Sequence, residues 1–88
     1  LMTMKAAWLF DQGKDAGEAA NMAKYAAGEA ATHAVDVAIQ VHGGNGMSEE
    51  YGLVSLWAMA RTLRIAPVSR EMILNFVGQH VLGLPKSY

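Results

Sequence analysis

The run AGEAANMAKYAAGEAATHAVDVAIQVH, Ala16 to His42, decides the fold class. Within it Ala16, Ala20, Ala23, Ala27, Ala30, Ala34, Val37 and Val41 recur at steps of three and four, which places them on one stripe of an α-helix. At 1.5 Å per residue that helix spans roughly 40 Å. Most of the stripe is alanine, so neighbouring helices can approach closely, and the helix is expected at the centre of a bundle.

Outward from this run, every segment keeps helical periodicity. Residues 1 to about 12 predict a helix, stopped by Asp11-Gln12-Gly13 with Gly13 as a left-handed cap. Asp15 follows as N-cap of the long helix, its carboxylate accepting an orphan amide. After Gly43 and Gly44, Ser48-Glu49-Glu50 carries a capping hydroxyl and acidic residues, and predicts a helix to about Ile65. Pro67 interrupts it, lacking an amide donor and disfavouring helix at Ala66. Ser69 recaps, and Arg70 to Leu82 forms the last helix, with Met72, Ile73, Phe76, Val77 and Val81 on its apolar side. No useful length alternates with period two. The expectation is all-α: an antiparallel helical bundle of about four helices with short turns.

Composition narrows the function classes. Eighty-eight residues make one domain at most, and a chain this short hides only about two thirds of its unfolded surface. A net charge of −1 gives no electrostatic case for nucleic acid, and no apolar run reaches the length of a membrane span. With no cysteine, thiolate metal sites and disulfides are excluded. His33, His42 and His80 lack any ligand spacing, so no metal site is expected. No capping residue precedes the amphipathic run already under way at Leu1. Together with 52% apolar residues, this predicts a C-terminal piece of a larger protein whose other parts cover Trp8, Trp57 and the alanine-rich faces, and which alone self-associates. A small all-helical domain that oligomerises accounts for the same composition.

One segment asks for chemistry. Gln40-Val41-His42-Gly43-Gly44 runs on through Asn45-Gly46 between two helices, and adjacent glycines after a helix expose backbone to close approach by a bulky anionic ligand. A plain turn accounts for Gly-Gly-Asn-Gly as well. The glycine spacing fits neither the dinucleotide fingerprint nor the P-loop, and no strand precedes it. An esterase oxyanion loop is excluded too, because no G-x-S-x-G elbow exists in the chain. Ser69, capping the next helix break, supplies a second polar turn, and the two fit a large cofactor laid across a bundle.

Ala38 to Tyr51 resembles the acyl-CoA dehydrogenase signature, Q-x-x-G-G-x-G followed by a polar residue and E-Y. Ala60-Arg61-Thr62-Leu63-Arg64-Ile65 is similar to that family's D-A-R-x-x-x-I stretch. The likeness covers nearly all of residues 1–88, as part of the C-terminal helical domain, without the N-terminal helical and middle β-domains. It implies an FAD-dependent oxidoreductase that oxidises the α,β bond of acyl-CoA thioesters. In that family a carboxylate takes the α proton, hydride passes to the flavin, and electrons go on to an electron-transferring flavoprotein. The resemblance places Gln40, Val41, His42, Gly43 and Gly44 against the adenosine-diphosphate half of FAD, typically that of a neighbouring subunit. It places Ser69, Arg70 and Glu71 on the family's T-S-E/Q triplet, which also touches FAD; Arg70 departs from the usual small residue.

The resemblance also exposes a gap. Many members carry Y-E-G-T-S here, with the glutamate as base, whereas this chain has Ala66-Pro67-Val68-Ser69-Arg70. Pro67 cannot take a proton, so no catalytic residue is expected in this segment, and Val68 in place of glycine crowds the thioester end of the pocket. Some relatives carry the base on an earlier helix; the alternative is a non-catalytic assembly module that kept the fold. A homo-oligomer, tetrameric in the parent, and a bacterial cytoplasmic or mitochondrial matrix setting are what the family implies.

Overall fold

A computed structural model describes residues 1–86. It contains four α-helices: α1 (Met2–Asp11), α2 (Gly17–His42), α3 (Leu53–Thr62) and α4 (Arg70–His80). Two 3-10 turns, Gly43–Met47 and Glu49–Tyr51, join α2 to α3. Among the described residues there is no strand, as the periodicity predicts.

The helix ends follow local chemistry. At the end of α1, Gly13 has φ +65°, its amide donates to Phe10 O at 2.9 Å, and Lys14 N donates to Leu9 O at 3.0 Å. That is the Schellman arrangement, which satisfies carbonyls the helix leaves open. The N-cap of α2 is Ala16 and not Asp15 as expected; Asp15, one residue earlier, accepts from Gly17 N at 2.8 Å through Oδ1. Ser69 caps α4 by accepting from Met72 N at 3.3 Å. The expected start of α3 needs correction. Ser48 accepts from Glu50 N at 3.2 Å but opens only the three-residue turn Glu49–Tyr51. Gly52, at φ +67°, breaks the chain again before α3 begins at Leu53.

Helix α2 is the hub. The other three helices each pack on it, and among the described residues none of them packs on another. Direction follows from the partners. Going up α2, Lys24 reaches Leu63 O, Thr32 Oγ1 donates to Ala60 O at 3.4 Å, and Asp36 and Ile39 share a hollow with Trp57 and Val54. Rising numbers on α2 meet falling numbers on α3, so the pair is antiparallel. Helix α4 runs antiparallel as well, with Arg70 beside Glu29 and Phe76 beside Gly17.

The core is thin. Its buried apolar side chains are Ala23, Ala60 and Ile73, the last only 1% exposed. Of the alanine stripe, Ala23 is buried, whereas Ala20, Ala27, Ala30, Ala34, Val37 and Val41 are exposed. The stripe therefore predicted the hub but outruns what these 88 residues can cover. The radius of gyration is 16.2 Å, against about 12 Å for a compact domain of this length. The accessible surface is 6388 Å², against roughly 5,000 Å² for a globular protein of this mass. Trp8 and Trp57 remain partly exposed, as expected, with Lys14 Nζ 4.9 Å above the Trp8 ring.

Candidate functional site: two polar turns on one long helix

The first turn is built by the end of α2. Gln40, Val41 and His42 are exposed on its last turn. His42 Nδ1 lies 2.8 Å from Ala38 O; a carbonyl only accepts, so Nδ1 carries the proton. The ring also meets Tyr51 edge-on, with centroids 5.5 Å apart at 67°. His42 is thereby held along the helix instead of reaching away from it. Gly43 then turns the chain at φ +58°, ψ −139°, its amide donating to Gln40 O.

The four glycines that follow α2 have different reasons to be there. Gly43 and Gly52 take positive φ values that side chains strain to adopt. Gly46 is buried, and a Cβ there would stand 2.5 Å from Ile39 O and 3.0 Å from Ile39 Cα. Gly44 has neither a positive φ nor any atom within 4 Å of where its Cβ would be. Among the described residues nothing requires glycine at position 44.

The second turn lies between α3 and α4. After Thr62 the chain tightens, with Ala66 N donating to Thr62 O at 2.9 Å, and Ala66–Pro67 is a cis peptide. Pro67 and Val68 are exposed, Ser69 and Arg70 half-buried, Glu71 exposed. The Arg70 guanidinium is directed inward: Nη1 lies 3.6 Å from Glu29 Oε1 and the group sits 5.9 Å from the Tyr25 ring centroid. Glu29 Oε1 also lies 2.9 Å from Arg64 Nε, an attraction of charges without an aligned hydrogen bond. Lys24 Nζ donates to Leu63 O at 2.6 Å and Ala66 O at 3.2 Å. Lys24 and Glu29 were not singled out by sequence; their one signal there is charge beside an alanine stripe.

The two turns do not meet. Arg70 sits opposite Glu29, and Gly43 is fourteen residues further along α2, which at 1.5 Å per residue is about 21 Å. Gln40 to Gly44 form one continuous exposed patch, whereas the Pro67–Glu71 segment is exposed at Pro67, Val68 and Glu71 and half-buried at Ser69 and Arg70. Among the described residues no three His, Asp or Glu side chains gather into a metal-sized cluster, and no helix is long and apolar enough to cross a membrane.

The family model described as Acyl-CoA dehydrogenase, C-terminal domain, matches residues 1–82. The chain belongs to the acyl-CoA dehydrogenase family. It is 62% identical over 90 residues to Acyl-CoA dehydrogenase FadE12 of Mycobacterium tuberculosis, covering all of this chain and 23% of that protein. It is 39% identical over 81 residues to the probable acyl-CoA dehydrogenase YngJ of Bacillus subtilis, covering 92% of this chain and 21% of the relative. Human acyl-CoA dehydrogenase family member 11 is 40% identical over 79 residues, which is 88% of this chain and 10% of that protein. The chain thus spans less than a quarter of these relatives' length. No solved structure matches it.

Proposed function

We propose that this chain is the FAD-facing part of an acyl-CoA dehydrogenase, an oxidoreductase acting on the α,β bond of acyl-CoA thioesters. One observation carries the reading: Gly44 is a glycine without an intrachain cause. Its neighbours Gly43 and Gly46 are explained by backbone conformation and packing, so close approach by something outside the chain is the reason left for Gly44. The exposed edge Gln40–Gly44 fits a diphosphate-bearing cofactor because a Cβ at either glycine would stand in open space where such a group can lie.

On this reading Gln40 offers its amide beside the adenosine-diphosphate half of FAD, and Gly43 and Gly44 keep the approach clear of side chains. Ser69 to Glu71 face a flavin as well, with the Arg70 guanidinium turned away from it, since that head is engaged by Glu29. FAD, when bound, accepts the hydride equivalent from the substrate. Pro67 holds no proton to exchange, so the base comes from elsewhere in the full-length protein and the segment alone is inactive. Electron-transferring flavoprotein as acceptor, a tetrameric parent, and a bacterial cytoplasmic or mitochondrial matrix setting complete the proposal.

The test uses the full-length protein. Gly44→Val should weaken FAD binding roughly 10- to 100-fold, the factor that about 1–3 kcal/mol of crowding produces. Titration of apoprotein by flavin fluorescence measures it, and an unchanged affinity refutes the assignment. Pro67 also favours a second reading, a non-catalytic assembly module. Acyl-CoA-dependent dye reduction by the full-length protein, lost when one upstream carboxylate is removed, decides for the enzyme; absence of any turnover decides for the module.

A further inference from the structure

The α3–α4 turn is closed by its own backbone hydrogen bonds, and two charged side chains of α2 tie it to that helix. Leu63, Ile65, Ala66, Pro67 and Val68 are all exposed, and α3 and α4 do not pack on one another, so a core cannot fix the turn. Instead the Lys24 ammonium bridges Leu63 O at 2.6 Å and Ala66 O at 3.2 Å, closing the open end of α3 and tying down the residue before Pro67. Five positions along α2, Glu29 Oε1 sits between Arg64 and Arg70, at 2.9 and 3.6 Å. These arginines bracket the turn, and Arg70 N donates to Arg64 O at 2.9 Å, so one carboxylate gathers both of its ends. Partly exposed ion pairs contribute little net stability. What they do supply is a single geometry for a segment that packing leaves free, because each charged partner must meet a fixed counterpart.

We infer that Lys24 and Glu29 are positioning residues for the flavin site. They set where Pro67, Val68 and Ser69 stand without touching cofactor or substrate themselves. This rests on the proposed reading that the segment from Pro67 to Glu71 faces FAD. It also gives Arg70 a part: its guanidinium completes the latch on α2, and its amide closes the turn on Arg64 O at 2.9 Å.

The experiment compares Lys24→Met, Lys24→Arg, Glu29→Gln and Ser69→Ala in the full-length protein. The readouts are the FAD dissociation constant and hydrogen exchange at the amides of Ala66 and Arg70. Lys24→Met removes both of its hydrogen bonds to the turn; it should speed exchange at both amides and raise the dissociation constant at least about tenfold, the factor for about 1.4 kcal/mol. Lys24→Arg should restore most of the affinity, and Glu29→Gln should act in the same direction as Lys24→Met. Glu29→Gln carries the test if Lys24→Met does not fold. Faster exchange with unchanged FAD affinity, while Ser69→Ala weakens binding, overturns the positioning role and leaves the flavin reading standing. Unchanged affinity in both Ser69→Ala and Gly44→Val overturns the flavin reading, and the positioning role with it.

Discussion

Gly46→Ala is the most severe single-methyl change this structure offers. The new Cβ would stand 2.5 Å from Ile39 O and 3.0 Å from Ile39 Cα, both backbone atoms of α2 that no rotamer can move aside. Ordinary contact begins at 3.4 Å, so the turn must retreat from α2 by about 0.9 Å. That retreat pulls Met47 from the hollow it lines with Ile39, Val54 and Trp57. Overpacking of this kind costs roughly 1–3 kcal/mol. In an 88-residue chain each kcal/mol lowers the melting temperature by about 4–8 °C. Trp57 borders the hollow, so fluorescence-detected thermal unfolding in a Trp8→Phe background reports the change directly. Gly44→Ala is the control: its Cβ meets nothing and should shift stability by no more than about 0.5 kcal/mol. Equal melting of Gly46→Ala and Gly44→Ala would refute the assignment of Gly46 to packing and of Gly44 to an outside ligand.

Gly28→Ala should go the other way. Its Cβ would make ordinary contacts, 3.5 Å from Arg64 Cγ and 3.6 Å from Leu63 O, and a mid-helix glycine is lost from the unfolded ensemble, so urea denaturation should show a gain of about 0.4–1 kcal/mol. Gly43→Ala forces a side chain onto φ +58°, ψ −139° and should cost about 1–3 kcal/mol by the same assay, although space around it is open.

Much of the fold was legible because helix patterning and end signals are local. The Ala16–His42 stripe, Gly13, Asp15, Gly43 and Ser69 each act through neighbours within a few residues, and each does so here. Ser48 misled because its cap is real but serves a three-residue turn; whether a helix continues past it depends on Gly52, which takes φ +67° and ends that turn. The stripe itself could not reveal that it is mostly uncovered, since periodicity marks a face and not its partner. Lys24 and Glu29, and their meeting with Arg64 and Arg70, escaped for a similar reason. That meeting spans α2, the α3–α4 turn and the start of α4, and a charge on a helix otherwise counts as a solvated one. The signature turn was legible as a motif, yet its glycines read alike until their Cβ surroundings separated Gly44 from Gly46.

The 21 Å along α2 between Glu29 and Gly43 constrains how two such turns can serve a flavin. They cannot hold the same phosphate, so either they grip opposite ends of one cofactor or each serves a different one across a subunit boundary. Mixing variants separates the two arrangements. Suppose Gly44→Val subunits assemble with Ser69→Ala subunits. If one subunit supplies both turns to its own flavin, every site carries one lesion and no mixture recovers affinity. If the turns come from different subunits, each mixed pair has one site with both lesions and one with neither. Random mixing in symmetric dimers then restores about a quarter of all sites to unimpaired FAD affinity. We expect that recovery, because about 21 Å of α2 separates the two turns on one chain. A titration in which the mixture is the plain average of the two parents, with no sites of unimpaired affinity, would place both turns on a single extended cofactor instead.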